Sequence, residues 1–397
     1  MQAVQVNPEI LRWAREAAGL SLEAAARKLQ FKATTKLDPS QKLELIELGK
    51  SDISRPLLIR MSKQYHRPLI TFYLETPPIK GDRGQDFRQL PENYHKTDEG
   101  LVDALVRDVR VRQNILKSAL EDEDEAKTLT FVGSANVEDG IARLSKSICD
   151  TIGFSLKEFR SQKDVTSAFT YLRSKVESVG IFALMIGDLG SHHTSIPVDA
   201  FRGFAISDKV APFVIINDHD AKSAWSFTLL HELAHIWLGQ TGISGGFGES
   251  TIEKFCDDVA SSILLFTSEL TELKFNNQTE FATIVELVSD FARSRHISRS
   301  MIAYRLYRSE VIDFKTWLAL KAEFKKQWEQ LKAYQKAVNA DKDGAPSYYV
   351  VRRHRIGNAL VDLVGRMTLS GTLTFTKAGK VLGVKPRNVF ALIQPSG

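Results

Sequence analysis

His231-Glu232-Leu233-Ala234-His235 stands inside an apolar run, with Phe227-Thr228-Leu229-Leu230 before it and Ile236-Trp237-Leu238-Gly239 behind it. On an α-helix, residues four apart lie one above the other. The two imidazoles therefore project from one face and can share a tetrahedral metal, with Glu232 placed as a general base towards water at the open position. The apolar flanks predict a buried helix, and two histidines plus a glutamate are costly to bury unless a metal occupies them. The same pentapeptide also arises where two histidines merely happen to be four apart, so its meaning turns on a third ligand.

A third ligand is offered downstream. The Gly-rich turn Ser244-Gly245-Gly246-Phe247-Gly248 is followed by a second helical pattern from Glu249 to Phe266, carrying Ile252, Phe255, Cys256, Val259, Ala260, Ile263 and Leu264 at helical spacing. Glu253 and Asp257 share one face of it. Glu253 can complete a site of two histidines and one glutamate with a fourth position left for water, and Asp257 can accept the ring N–H of a ligating histidine. The plain alternative is a solvated Glu–Asp pair.

A chain of 397 residues with 43% hydrophobic content has room for two or three domains. No apolar run approaches the roughly 18 residues needed to cross a bilayer, and Met1 to Asn7 has neither a basic nor an apolar leader region. A soluble protein without a membrane partner is expected. Cys149 and Cys256 are the only cysteines and lie far apart, which suits a reducing cytoplasm. A net charge of +5 is mild for this length, so local charge says more than the total.

The first 78 residues read as a helical domain. Asn7-Pro8 starts a helix that ends near Gly19, Ser21 caps the next, Asp38-Pro39 starts a third that stops at Gly49, and a fourth runs through Leu57, Leu58, Met61 and Tyr65. Such helices suit a helix-turn-helix unit, although periodicity alone favours a plain bundle. Residues 79–136 read as a loop, Asp82 to Arg88, followed by a long charged helix, Thr97 to Glu121, and a solvated acidic end, Glu121 to Glu125. In residues 137–340, helices around Ile141–Ile148 and Val165–Val176 precede strand candidates at Ile181–Ile186, Gly203–Ile206 and Pro212–Asn217, and the motif helix follows. An exposed edge strand of such a sheet could pair with an extended substrate. Helices at Phe281–Phe291, Ser298–Tyr307 and Trp317–Val338 come next, then a linker from Asp341 to Pro346. In residues 346–397, Arg352, Arg353, Arg355, Arg366, Lys377, Lys380, Lys385 and Arg387 stand against Asp362 alone. This small basic module, with a short helix and turn at Thr376–Val384 and another helix opening at Lys385, suits phosphates or a protein partner equally.

Together these pieces resemble the ImmA/IrrE family of metallopeptidases in the form that carries an N-terminal XRE-type helix-turn-helix. The resemblance rests on Arg12 to Leu29 with Glu47-Leu48-Gly49-Lys50, Tyr65 to Tyr73, Asp86-Phe87-Arg88, Val214 to Asn217, Phe227 to His235, Glu253 to Asp257, and His296 to Leu306. It implies a mostly helical α+β fold: a helix-turn-helix bundle, a central minimal zincin of gluzincin type with a small sheet, and the basic C-terminal module. It also implies Zn²⁺ held by His231, His235 and Glu253, Glu232 as catalytic base, and Asp257 supporting a ligand. The partner it implies is a protein, a repressor-like regulator or toxin-like partner, cleaved or controlled in stress response or mobile-element or toxin–antitoxin regulation; DNA, through the N-terminal or the C-terminal module, is the other expected partner. The rival reading is a non-proteolytic DNA-binding repressor or antitoxin-like protein with a structural or vestigial zinc site. Glu44 and Glu47 would oppose phosphates if they faced DNA. Trp225-Ser226 replaces the basic residues often found before Phe-Thr in the family, which leaves substrate preference open. His192, His193 and His219 lie near the strands and read as ordinary surface residues, so no oxyanion partner is named.

Overall fold

Local start signals set the first helices. Asn7 accepts the Glu9 amide at 2.9 Å and opens α1 (Pro8–Ala17), and Ser21 accepts the Ala24 amide to open α2 (Leu22–Lys28). Asp38 and Gln41 form a reciprocal capping box at α3 (Pro39–Glu47), and α4 spans Arg55–Gln64. The computed structural model describes residues 6–35, 37–78, 85–86, 95–244, 251–274, 279–340 and 347–394. The Gly-rich turn beyond Ser244, the first residues of the Glu249–Phe266 pattern, most of the Asp82–Arg88 loop and the Asp341–Pro346 linker lie outside them.

The chain divides into two compact units, one of residues 1–83, 90–110 and 188–200, the other of residues 84–89, 111–187 and 201–397. In the first, α1 to α4 close over Leu11, Leu29, Leu43, Leu58, Tyr65 and Phe72. Beneath them the Arg15 guanidinium holds Glu47 at 2.8 Å and donates to the Leu20 carbonyl. Glu47 therefore does not face outward to oppose phosphates: it is 3% exposed and neutralised inside the bundle, while Glu44 is exposed. The long helix α5 (Lys96–Asp122) begins in the first unit and ends in the second.

The second unit is built on a five-stranded mixed sheet. Its strands are β1 (Gln85–Asp86), β2 (Phe182–Met185), β3 (Gly203–Ile206), β4 (Phe213–Ile216) and β5 (Gly242–Ser244), in the order β1-β5-β3-β4-β2. β3 runs antiparallel to both its neighbours, with Gly203 opposite Ile216 on one side and Ser244 on the other, whereas β1 and β2 pair parallel to β5 and β4. β2, β3 and β4 are buried along their whole length, as their unbroken apolar runs require. The helices around the sheet are α6 (Ile141–Ile152), α7 (Leu156–Arg160), α8 (Val165–Ser178), α9 (Lys222–Trp237) and α10 (Thr251–Leu264). α9 packs on β3, β4, α6, α8 and α10, so it sits at the centre of the core. α11 (Phe281–Arg295), α12 (Arg299–Arg308) and α13 (Phe314–Ala340) follow, with Ser298 capping α12 and Arg308 tying it to Asp258 of α10 at 2.7 Å.

β1 and β2 are the end strands of the sheet, where an open edge for a substrate is to be sought. β1 pairs with β5 on one rim, and on the other the Arg173 guanidinium donates to the Ala183 carbonyl of β2 while a C-terminal helix packs against that strand. That helix is α14 (Tyr348–Ile356), followed by α15 (Asn358–Leu369), α16 (Phe375–Leu382) and α17 (Val389–Ile393). Its Arg355 pairs with Asp218 at 2.6 Å, and Arg366 of α15 pairs with Glu125 at 2.5 Å. Arg355 and Arg366 are thus fastened within the second unit, and Glu125 of the acidic run is one of their partners.

Candidate metal centre

α9 starts after Ala221 without a side-chain cap and is buried from Ala224 to Trp237 except at Phe227. Such a helix is placed by packing on all sides, and here the packing fixes three polar side chains with it: His231, Glu232 and His235 are 5%, 0% and 0% exposed. α10 crosses α9 and brings Glu253, fully buried, and Asp257 to the same place.

The ligand atoms of His231, His235 and Glu253 all lie within 4.8 Å of one another. His235 Nε2 is 2.9 Å from Glu253 Oε1, and His231 Nε2 is 3.4 Å from Oε2. The outward ring nitrogens are engaged from behind: His231 Nδ1 stands 2.9 Å from Asp257 Oδ1, and His235 Nδ1 3.3 Å from Gln240 Oε1. In the tautomers that donate each Nδ1–H to an oxygen, both Nε2 lone pairs would turn inward, where the two nitrogens stand 3.1 Å apart. Two neutral lone pairs that close repel, so a metal ion between them or a proton on one of them relieves the contact. The donor set, two imidazoles and a carboxylate, is one that zinc accepts, so the residues present fit a divalent metal.

The electrostatics agree. Burial pushes the Glu232 carboxyl up to about 8. Burial likewise raises Asp257 to about 6 against the pull of His231. Burial would raise Glu253 too, but the two imidazoles beside it hold it down at about 2. His231 loses to burial yet gains more from Glu253 and Asp257, and its pKa lies well above the ordinary value. Burial lowers that of His235. Without a metal, then, a proton on His231 balances the buried carboxylates.

Neither oxygen of Glu232 has a hydrogen-bond partner among the described residues, the Ser244 hydroxyl being a looser polar neighbour. The carboxylate lies against Gly203 of β3: a Cβ there would stand 2.8 Å from Glu232 Oε1 and 2.7 Å from Thr228 Cγ2. Three further residues at the site went unread in the sequence as neighbours of His235. Gln240 follows the left-handed Gly239 that ends the helix, Ser244 Oγ lies 3.5 Å from His235 Nε2, and Cys256 Sγ lies 3.8 Å from His235 Nδ1. Only Gln240 left a signal, five residues on and just past a helix-ending glycine. Of the other histidines considered, His193 is exposed and belongs to the first unit, His219 is half-buried in the second, and the side chain of His192 is outside the described residues.

Among known proteins, residues 187–307 match the peptidase family described as the IrrE N-terminal-like domain. No curated protein and no solved structure matches the chain. The matched stretch runs from the end of β2 to α12 and contains every residue of the buried cluster, while α1 to α8 and α13 to α17 lie outside it. Residues 187–307 thus form a domain similar to that of the ImmA/IrrE peptidases.

Proposed function

We propose that this chain is a zinc-dependent endopeptidase of the cytoplasm that regulates by cutting one specific partner protein, a repressor-like regulator or toxin-like partner, in stress response or mobile-element control. The observation that carries the reading is Glu232. It is wholly buried, lacks a hydrogen-bond partner among the described residues, and adjoins a complete set of three ligands without being needed to hold a metal. An unpaired carboxyl in such a place is hard to account for in a purely structural site.

His231 and His235 would hold zinc through Nε2, and Glu253 through its carboxylate. When bound, zinc supplies Lewis acidity to a scissile carbonyl and acidifies water. Asp257 fixes the tautomer and tilt of His231, and Gln240 does the same for His235. Glu232, with its affinity for a proton raised towards neutral pH by burial, takes a proton from the attacking water and returns it to the departing amine. Cys149 and Cys256 are both free thiols, which suits a reducing compartment, and no helix among the described residues is long and apolar enough to cross a membrane.

The test compares wild type with Glu232→Gln for metal content and for cleavage of co-expressed candidate partners. Retained metal with lost cleavage is expected. Retained metal with an undiminished biological effect would move the chain to the rival reading, a non-proteolytic regulator.

A further inference from the structure

The basic C-terminal residues fall into two sets. Those of α14 and α15 are consumed inside the second unit: Arg352 donates to the Leu382 and Gly383 carbonyls, Arg353 pairs with Asp362, Arg355 with Asp218, and Arg366 with Glu125. Those further along are not. Lys377, Lys385 and Arg387 are exposed and have no ion pair among the described residues, and the sequence from residue 363 to residue 394 contains no Asp or Glu.

These three cations stand on a helix, a tight turn and a second helix. α16 ends at Gly383 in the left-handed conformation (φ +62°), with the Val384 amide returning to the Gly379 carbonyl at 2.8 Å. Lys385 and Pro386 then open a helical turn that continues into α17, so residues 386–393 form one short helical piece. The two helices meet on Gly379, where a Cβ would stand 2.8 Å from the Val384 carbonyl oxygen. Leu360 and Val364 of α15 pack beneath Val381, Leu382, Val389 and Leu392, and Arg352 pins the turn from behind. The result is a rigid three-helix arrangement that presents one sign of charge outward.

We infer that this arrangement is a duplex-DNA-binding surface, with residues 386–393 entering the major groove and α16 crossing the backbone. A helix with its side chains is about 10–12 Å across, close to the width of that groove. In a helix-turn-helix the N-terminal residues of the second helix reach base edges while the first helix meets phosphate. Lys385 and Arg387 occupy the first position and Lys377 the second. Phe390, 51% exposed on the same helix, offers an apolar contact of the kind a thymine methyl takes. The peptidase reading shares no residue with this surface, and either can stand without the other.

The experiment measures fluorescence polarisation of a labelled mixed-sequence duplex, long enough for two helical turns, titrated with the full chain from about 50 to 200 mM salt. Micromolar binding with a steep salt dependence is expected. The variant Lys377→Ala/Lys385→Ala/Arg387→Ala should lower the slope of log K against log salt by about 2–3 and weaken low-salt binding at least about tenfold. Removing the same number of exposed charges from the first unit, at Arg27, Lys28 and Lys32, should leave most of the slope intact. Absence of duplex binding by the wild-type chain would overturn the inference and leave a protein-binding surface. So would a slope that survives the C-terminal variant and disappears with the first-unit one.

Discussion

Gly203→Ala perturbs the centre of the second unit with a single methyl group. The backbone of β3 passes so close to α9 that the added Cβ would meet Thr228 Cγ2 at 2.7 Å and Glu232 Oε1 at 2.8 Å, both well inside contact distance. Gly203 is paired on both sides, to Ile216 and to Ser244, so the strand cannot retreat without breaking ladder hydrogen bonds. Overpacking a filled core in this way costs about 1–3 kcal/mol. In a unit of this size each kcal/mol shifts Tm by about 2–4 °C, so the variant should melt about 2–12 °C lower. The ligands come from α9 and α10, not from β3, and metal content should stay at the wild-type level. Thr228→Ser removes one of the two obstacles. The double variant should therefore recover part of the loss, with a coupling of about 0.5–3 kcal/mol, read by circular-dichroism melts of all four proteins alongside metal analysis. A Gly203→Ala protein that melts with the wild type, or losses that simply add, would show that β3 and α9 are not in the contact described.

Other consequences are simpler to state. Glu253→Gln should bind metal much more weakly, and Asp257→Asn about 10–100-fold more weakly, measured by competition with a chromophoric chelator; an unchanged affinity in both would remove Glu253 as ligand and Asp257 as the support of His231. Arg15→Met leaves the Glu47 carboxylate buried without its partner, so the first unit should lose about 3–5 kcal/mol in urea unfolding, most of it regained in Arg15→Met/Glu47→Leu; a loss confined to a few tenths would mean the pair is not buried as described. Burial, aided by Lys28 and Arg107, pushes the His66 imidazole down from 6.5 to about 4. Between those values the unfolded chain binds more protons than the folded one, so stability is full above pH 6.5 and falls as the pH drops towards 4. His66→Gln should flatten that part of the curve, and an unaltered pH profile would rule His66 out as its source.

What the sequence made legible was local. Asn7-Pro8, Ser21, Asp38-Pro39 with Gln41 and Ser298 each mark a helix start within a few residues of themselves, and each helix begins there. The cluster was legible for the same reason: His231 and His235 are one turn apart on α9, Glu253 and Asp257 one turn apart on α10, and the crossing of the two helices completes the set. What was missed is non-local. Among the described residues β5 has three and β1 two, too few for any period, and they pair because β3 offers a partner for the first and β5 for the second. Gly203 shows in a sequence only as a small residue, since its meaning lies in a helix that follows much later. The arginines of α14 and α15 misled in the other direction: a run of cations reads as a surface for phosphates until Asp218, Glu125 and the turn carbonyls are brought to them by folding.

The same long-range pairing bears on how a substrate could reach the base. β3, the strand beside Glu232, is flanked by β4 and β5 and cannot accept another strand. On the far rim the Ala183 carbonyl is already occupied by Arg173. Between β5 and β1, the described pairs are Gln85 with Gly242 and Asp86 with Ile243, and they lie next to Ser244, whose hydroxyl is 3.5 Å from His235. A peptide that extends this sheet can add beyond β1, the end strand of the order, or take the place of β1 against β5, and in either case it gains backbone hydrogen bonds. Backbone hydrogen bonds are common to every sequence, so the ladder alone does not choose among peptides. A partner with additional contacts elsewhere on the molecule can supply that choice, which is what the selective peptidase proposed above would require.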